Sequence, residues 1–132
     1  MKPGMHEGQS ATVRTKVTSD MFAQFEGEVV HETFSTVSLV YYMEWASRQI
    51  ILPYLEDEEE GMGGAVTVKH VNPAPEGTQV QITATVTALK RNVVVTEVKA
   101  ESDGKTIGTG EAKQVILPKV KIKEMLQIEN KV

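Results

Sequence analysis

The stretch from Ser35 to Glu56, STVSLVYYMEWASRQIILPYLE, has helical character yet is apolar almost all the way round, and no other segment restricts the architecture as strongly. Val37, Leu39, Val40, Tyr41, Tyr42, Met43, Trp45 and Ala46 leave nearly no polar face, the pattern of a helix enclosed by other elements rather than lying on a surface. Ser35 or Thr36 offers a hydroxyl to cap its start, and Pro53 with the acidic run EDEEEG marks its end. A sheet has to cover such a helix.

The rest of the chain supplies that sheet. Ala11 to Val17 alternate loosely and read as a first strand, ended by Ser19 and Asp20. The following MFAQFEGEVVHETF has no sustained period and reads as an irregular cover with one short helical turn. In AVTVKHV, residues Val66, Val68 and His70 share one face and Thr67 and Lys69 the other. TQVQITATVTAL places Val80, Ile82, Ala84 and Val86 opposite Gln79, Gln81, Thr83 and Thr85. Lys90 to Asn92 form a turn, VVVTEVKAES a strand, and Asp103-Gly104 a tight hairpin turn. KTIGTGEAKQVILP closes the set, with Gly108 and Gly110 expected to permit sharp bending, and the tail KVKIKEMLQIENKV reads as a short amphipathic helix or a frayed end. One strand, one enclosed helix and four further strands predict an α+β fold, an antiparallel sheet wrapped around a long central helix in the hotdog arrangement.

A length of 132 residues suits one domain with one active site. A formal charge of −4, with Lys and Arg dispersed, offers phosphate backbones no general attraction and argues against nucleic acid. Without Cys there is no disulfide framework, thiolate nucleophile or thiolate metal ligand. The start, MKPGMHEGQS, lacks the apolar core of a signal peptide, and no apolar run approaches the roughly 20 residues that span a bilayer, so a cytoplasmic location is expected.

Glu44 is the anomaly in this helix. Burying an unpaired carboxylate costs several kcal/mol, so it has to be paired, protonated or facing a wet cavity. Thr36, eight residues earlier, lies about 80° round the helix and can look into the same sector. His70 is a polar intruder on the apolar face of its strand, so Glu44 and His70 are expected to meet. Such a pair is either a catalytic couple or a buried structural one, and the Thr36 hydroxyl equally suits a plain helix cap. His6 and His31 fall in irregular segments and read as surface residues. HETFS is not the zinc-binding His-Glu-x-x-His pattern, so no metal is expected, and GMGG at Gly61 to Gly64 is no phosphate loop because it precedes a strand. Its glycines still allow a backbone N–H to approach a ligand closely.

The motifs MKPGM..G, ST.....MEWA with PYLE, GG..V.VKH...P.P.G..V and IGTGEA occur together and in order, and the set resembles the fluoroacetyl-coenzyme A thioesterase family of hotdog proteins. The resemblance is nearly gap-free from Ser35 to about Leu117 and implies one thioesterase-like domain over residues 1–132. It implies a threonine, glutamate and histidine catalytic set at Thr36, Glu44 and His70, substrate-binding glycine at Gly63 with Gly64 beside it, and a homodimer binding acyl-CoA at or near the subunit interface. No cofactor is implied, coenzyme A being part of the substrate, and no membrane partner. Two departures stand out. The phenylalanines that gate the fluoroacetyl pocket align with Val30 and Gly27, or with Phe22 and Phe25 if an insertion is allowed. The basic residue of the last strand falls at Gln114 or Lys113.

Such a site suits a thioester, whose thiol leaving group has a pKa of about 8.5 and departs readily. Glu44 either attacks the carbonyl to give a mixed anhydride or acts as base on a water, Thr36 holds the carboxylate or the water in line, and His70 stabilises developing charge or protonates the thiolate. A hotdog hydratase is the enzymatic rival, but its Asp and His five residues apart do not occur here. A non-catalytic module that binds acyl-CoA is the reading from another class.

Overall fold

The computed structural model describes residues 1–130. The elements in chain order are β1 (Ser10–Lys16), β2 (Phe22–Phe25), β3 (Glu28–Phe34), α1 (Thr36–Ile51), β4 (Glu59–His70), β5 (Gln79–Lys90), β6 (Val93–Ser102), β7 (Lys105–Pro118) and α2 (Lys119–Asn130). Five strands form one antiparallel sheet in the order β1-β5-β6-β7-β4, and β2 with β3 makes a separate hairpin. The long helix packs on one face of the larger sheet.

Alternation fixes which residues reach that helix. Val80, Ile82, Ala84 and Val86 of β5 are all buried, with Val94 and Val98 of β6 and Ile107 and Ile116 of β7 beside them. From α1, Leu39, Met43, Ala46, Ile50 and Ile51 fill the same core. Each large aliphatic side chain so buried stabilises the fold by about 1.5–3 kcal/mol. The Asp103-Gly104 turn is present, with φ of 48° and 76°, the left-handed pair a tight hairpin requires.

Three expectations are corrected. The segment from Met21 to Phe34 is a β-hairpin preceded by a short 3-10 turn, closed at Glu26-Gly27 with φ of 54° and 80°. Its apolar residues alternate too irregularly to advertise strands, because the pairing itself slips register twice. β4 begins at Glu59, well before Ala65, because β7 continues to Pro118 and offers a partner that far. Gly108 and Gly110 also allow close packing of the helix on β7. A Cβ on Gly108 would lie 2.5 Å from Leu39 Cδ2, and one on Gly110 would collide with the Thr67 carbonyl and Met43 Cε, so both glycines let the helix settle onto the sheet.

The third correction concerns α1, which is covered on one side only. Val37, Tyr41 and Trp45 are 76%, 60% and 43% exposed, and Glu44 between them is exposed as well. Spaced by four, the three apolar residues form a stripe along the helix. The five-stranded sheet lies against the opposite side of the helix, so this stripe remains on the outside of the single chain.

Candidate active site

The N-terminus of α1 places the first group. Ser35 is the helix cap, its Oγ accepting from the Ser38 N–H at 3.0 Å. Thr36 is therefore not needed as a cap. As the first helical residue it turns its hydroxyl toward the end of β4, where Thr36 Oγ1 and His70 Nδ1 share a hydrogen bond of 2.9 Å. His70 Nε2 is buried and has no partner among the described residues. The ring is thus held at one nitrogen and unsatisfied at the other.

Glu44 lies two turns further along the helix, about 12 Å at 1.5 Å per residue. It is neither enclosed nor beside His70. Its Oε1 sits 3.0 Å from where a Cβ on Gly63 would stand, so the carboxylate rests on β4 where glycine leaves room. Gly63 and His70 are seven residues apart on the strand, roughly 20 Å at about 3.3 Å per residue. Within one chain the expected meeting of Glu44 and His70 does not take place. The three candidates divide into a Thr36–His70 pair and a Glu44–Gly63 seat at opposite ends of β4.

Gly64 falls at the register shift between Gly63 and Ala65, a bulge in the β4–β7 ladder that interrupts regular pairing beside Glu44. A cavity of about 160 Å³ opens between α1 and the β4–β7 edge, lined by Glu44, Arg48, Gly61, Gly63, Ala112 and Gln114 among others. Gln114 faces this cavity directly across the ladder from Gly63. Arg48 Nη1 donates to Glu60 Oε2 at 2.9 Å, and the Gly61 N–H donates to the same oxygen at 2.8 Å. The guanidinium first, and the backbone N–H second, hold the Glu60 carboxyl below its usual range. A larger depression of about 760 Å³ lies on the opposite face of the sheet, lined by residues such as Thr67, Lys69, Thr85 and Glu97, and contains none of the candidate groups. Its polar lining is that of a solvated sheet face.

Behind the cavity, Ser47 Oγ donates to the Met43 carbonyl and meets Thr96 Oγ1, each at 2.8 Å, pinning the helix to the sheet. Sequence reading missed this pin and the burial of Gln114. The inward phase of β7, running through Ala112 and Ile116, contained the second signal. His6 and His31 are exposed, as expected. Of the aromatic alternatives, Phe22 is buried opposite Phe34, whereas Phe25 is 70% exposed at the hairpin tip. Val30 is exposed on β3, and Gly27 forms the turn.

Comparison with known proteins agrees with this architecture. The family model described as fluoroacetyl-CoA-specific thioesterase matches residues 17–120. A fluoroacetyl-CoA thioesterase from Streptantibioticus cattleyicolor is 31% identical over 99 residues, covering 75% of this chain and 68% of that protein. A thioesterase superfamily member from Thermus thermophilus superposes with a TM-score of 0.94 at 38% identity, covering 99% of this chain and 96% of the other. A variant of the fluoroacetyl-CoA-specific thioesterase FlK superposes with a TM-score of 0.87 at 26% identity, covering 97% and 99% of the two chains. The hotdog fold expected from the sequence is therefore the fold of solved thioesterases, and the chain belongs to the family of fluoroacetyl-CoA-specific thioesterases.

Proposed function

We propose that the protein hydrolyses short acyl-CoA thioesters to the free acid and coenzyme A, in a site assembled by two copies of the chain with Thr36, Glu44 and His70 as the catalytic set. The observation that carries this reading is the division just described. Glu44 has a seat on β4 but lies away from His70 in its own chain, and His70 has an anchored ring with a buried Nε2 that has no partner among the described residues.

A second copy supplies what each half lacks. β4 is an edge strand of 12 residues, and a long unprotected edge invites pairing with another chain. Antiparallel pairing of two β4 edges about a two-fold axis near Val66–Val68 brings the His70 end of one strand beside the Gly63–Gly64 end of the other. The Val37, Tyr41 and Trp45 stripe then has a partner surface to cover it. Each dimer holds two composite sites.

In such a site Glu44 activates a water or attacks the thioester carbonyl directly. The backbone N–H groups at Gly63 and Gly64 face the developing oxyanion, where fixed donors act without reorganising. Thr36 fixes the His70 ring through Nδ1, leaving Nε2 to hand a proton to the departing thiolate. Burial of Phe22 and exposure of Phe25 leave no aromatic pair to enclose a fluoroacetyl group within one chain. The substrate class is therefore short acyl esters in general, consistent with the small cavity.

Subunit mixing tests the reading. Glu44→Gln and His70→Ala proteins are each expected to be inactive. After co-refolding, half the dimers are mixed and each retains one intact composite site, so about a quarter of wild-type thiol release returns. Absence of any recovery, with mixed dimers shown by mass spectrometry, would place all three residues in one subunit. Acyl-CoA binding with no hydrolysis by the parent protein would make it a binding module.

A further inference from the structure

Three polar side chains are buried among the described residues: Ser47, Thr96 and Gln114. Ser47 and Thr96 satisfy one another, but the Gln114 amide nitrogen is inaccessible to solvent and has no hydrogen-bond partner. Leaving a buried amide unpaired is costly, and a small domain has little net stability to set against it. Leucine at this position would avoid that cost.

The surroundings indicate where the missing partner comes from. Gln114 stands opposite Gly63 on the face that carries Glu44, and it lines the same cavity as that carboxylate. Its Oε1 lies 3.9 Å from where a Cβ on Gly61 would be, a Cβ that would also collide with Ile51 Cδ1, while the Glu44 carboxylate rests against Gly63. Glu44 reaches this space but makes no hydrogen bond with the amide. Rotation of the carboxamide by a half-turn presents either its donor or its acceptor to the cavity. At about 160 Å³ the cavity has the volume of about five waters at ~30 Å³ each, room for an acyl group of a few carbons.

Resting on the thioesterase reading above, we propose that Gln114 selects short acyl groups carrying a hydroxyl or carbonyl oxygen on carbon 2 or 3 over plain alkyl groups of the same length. A hydroxyl is the best match, since it accepts from Nε2 or donates to Oε1. The discrimination arises because a plain alkyl group offers the amide no hydrogen-bond partner. Sites built to pair with a substrate hydroxyl reject analogues lacking it far more strongly than apolar pockets reject an extra methylene.

The test compares thiol release from butyryl-CoA with 3-hydroxybutyryl-CoA, and from propionyl-CoA with 2-hydroxypropionyl-CoA, using the full-length dimer. The wild type is expected to favour at least one hydroxylated ester by tenfold or more in kcat/KM, on the scale of a paired versus unpaired polar group. In Gln114→Leu that ratio is expected to fall at least about fivefold, and Gln114→Asn, which withdraws the amide by one methylene, serves if the leucine variant fails to fold. The ratio between equal-length substrates is the readout, because a purely structural role would move both rates together. Equal wild-type rates within both pairs, or a ratio unchanged by the substitution, overturn the assignment and leave the thioesterase reading intact. If substitution instead dissociates the dimer with the ratio unchanged, the amide pairs with the other subunit and the proposal is wrong. Failure of the wild type to hydrolyse any of the four esters overturns both readings together.

Discussion

Thr36 and His70, 34 residues apart in sequence, meet through a hydrogen bond of 2.9 Å between Oγ1 and Nδ1. One partner is the first residue of the helix and the other the last of β4, so the bond ties the start of α1 to the far end of the edge strand. A hydroxyl is required there, but its methyl group is not. Thr36→Val is therefore predicted to lower kcat about 10- to 100-fold while Thr36→Ser stays near wild type, the scale expected when a positioned acid or base loses its orientation. Comparable losses in both variants would deny the bond a role in turnover.

The seat of Glu44 predicts an asymmetry between adjacent glycines. A Cβ on Gly63 would press on Glu44 Oε1 at 3.0 Å, whereas one on Gly64 would meet only Val115 and Lys113 at 3.5 Å or more. Gly63→Ala should reduce thiol release at least about tenfold by displacing the carboxylate, since small misplacements of reacting groups carry large kinetic penalties. Gly64→Ala should unfold at the same denaturant concentration as wild type. Equal activity in Gly63→Ala and wild type would remove Glu44 from the reaction at its present position.

Gly110 offers a test of the helix seat. A side chain here would strike the Thr67 backbone carbonyl, which cannot swing aside, as well as Met43. Gly110→Ala is expected to destabilise the protein by about 2 kcal/mol or more, toward the upper part of the overpacking range, in urea unfolding. A loss below about 0.5 kcal/mol would show that helix and sheet separate freely at this point.

The Arg48–Glu60 pair sets a pH dependence. Arg48 lowers the Glu60 pKa from its ordinary value of 4.5. A depressed carboxyl contributes stability that is fully present above its unfolded pKa and is lost as pH falls through the folded one. Arg48→Met should raise the Glu60 titration midpoint, followed by NMR, and cost under about 1 kcal/mol near neutrality, because both side chains remain partly exposed. That difference should vanish in acid. A Glu60 midpoint unmoved by the substitution would mean the Gly61 N–H alone sets it.

Much of this arrangement was legible in the residues. The alternation of Val80, Ile82, Ala84 and Val86 located both the strand and its buried face, and Asp103-Gly104 marked the turn between β6 and β7. Thr36, Glu44 and His70 stood out as polar groups in apolar surroundings or at a helix start. Their division was not legible, because helical spacing gives angles around α1 but not which segment of β4 each residue faces. The one-sided covering of α1 was hidden for a related reason. An apolar stripe left exposed has the same composition as one enclosed by its own chain.

The adjacent hydroxyls at the start of α1 perform separate tasks, Ser35 closing the helix and Thr36 steadying the imidazole. In the proposed site this decouples foldability from reactivity at two consecutive positions. Changes at the second can retune the rate without fraying the helix, and changes at the first can alter robustness without disturbing the ring, so evolution and engineering have independent handles within a single dipeptide.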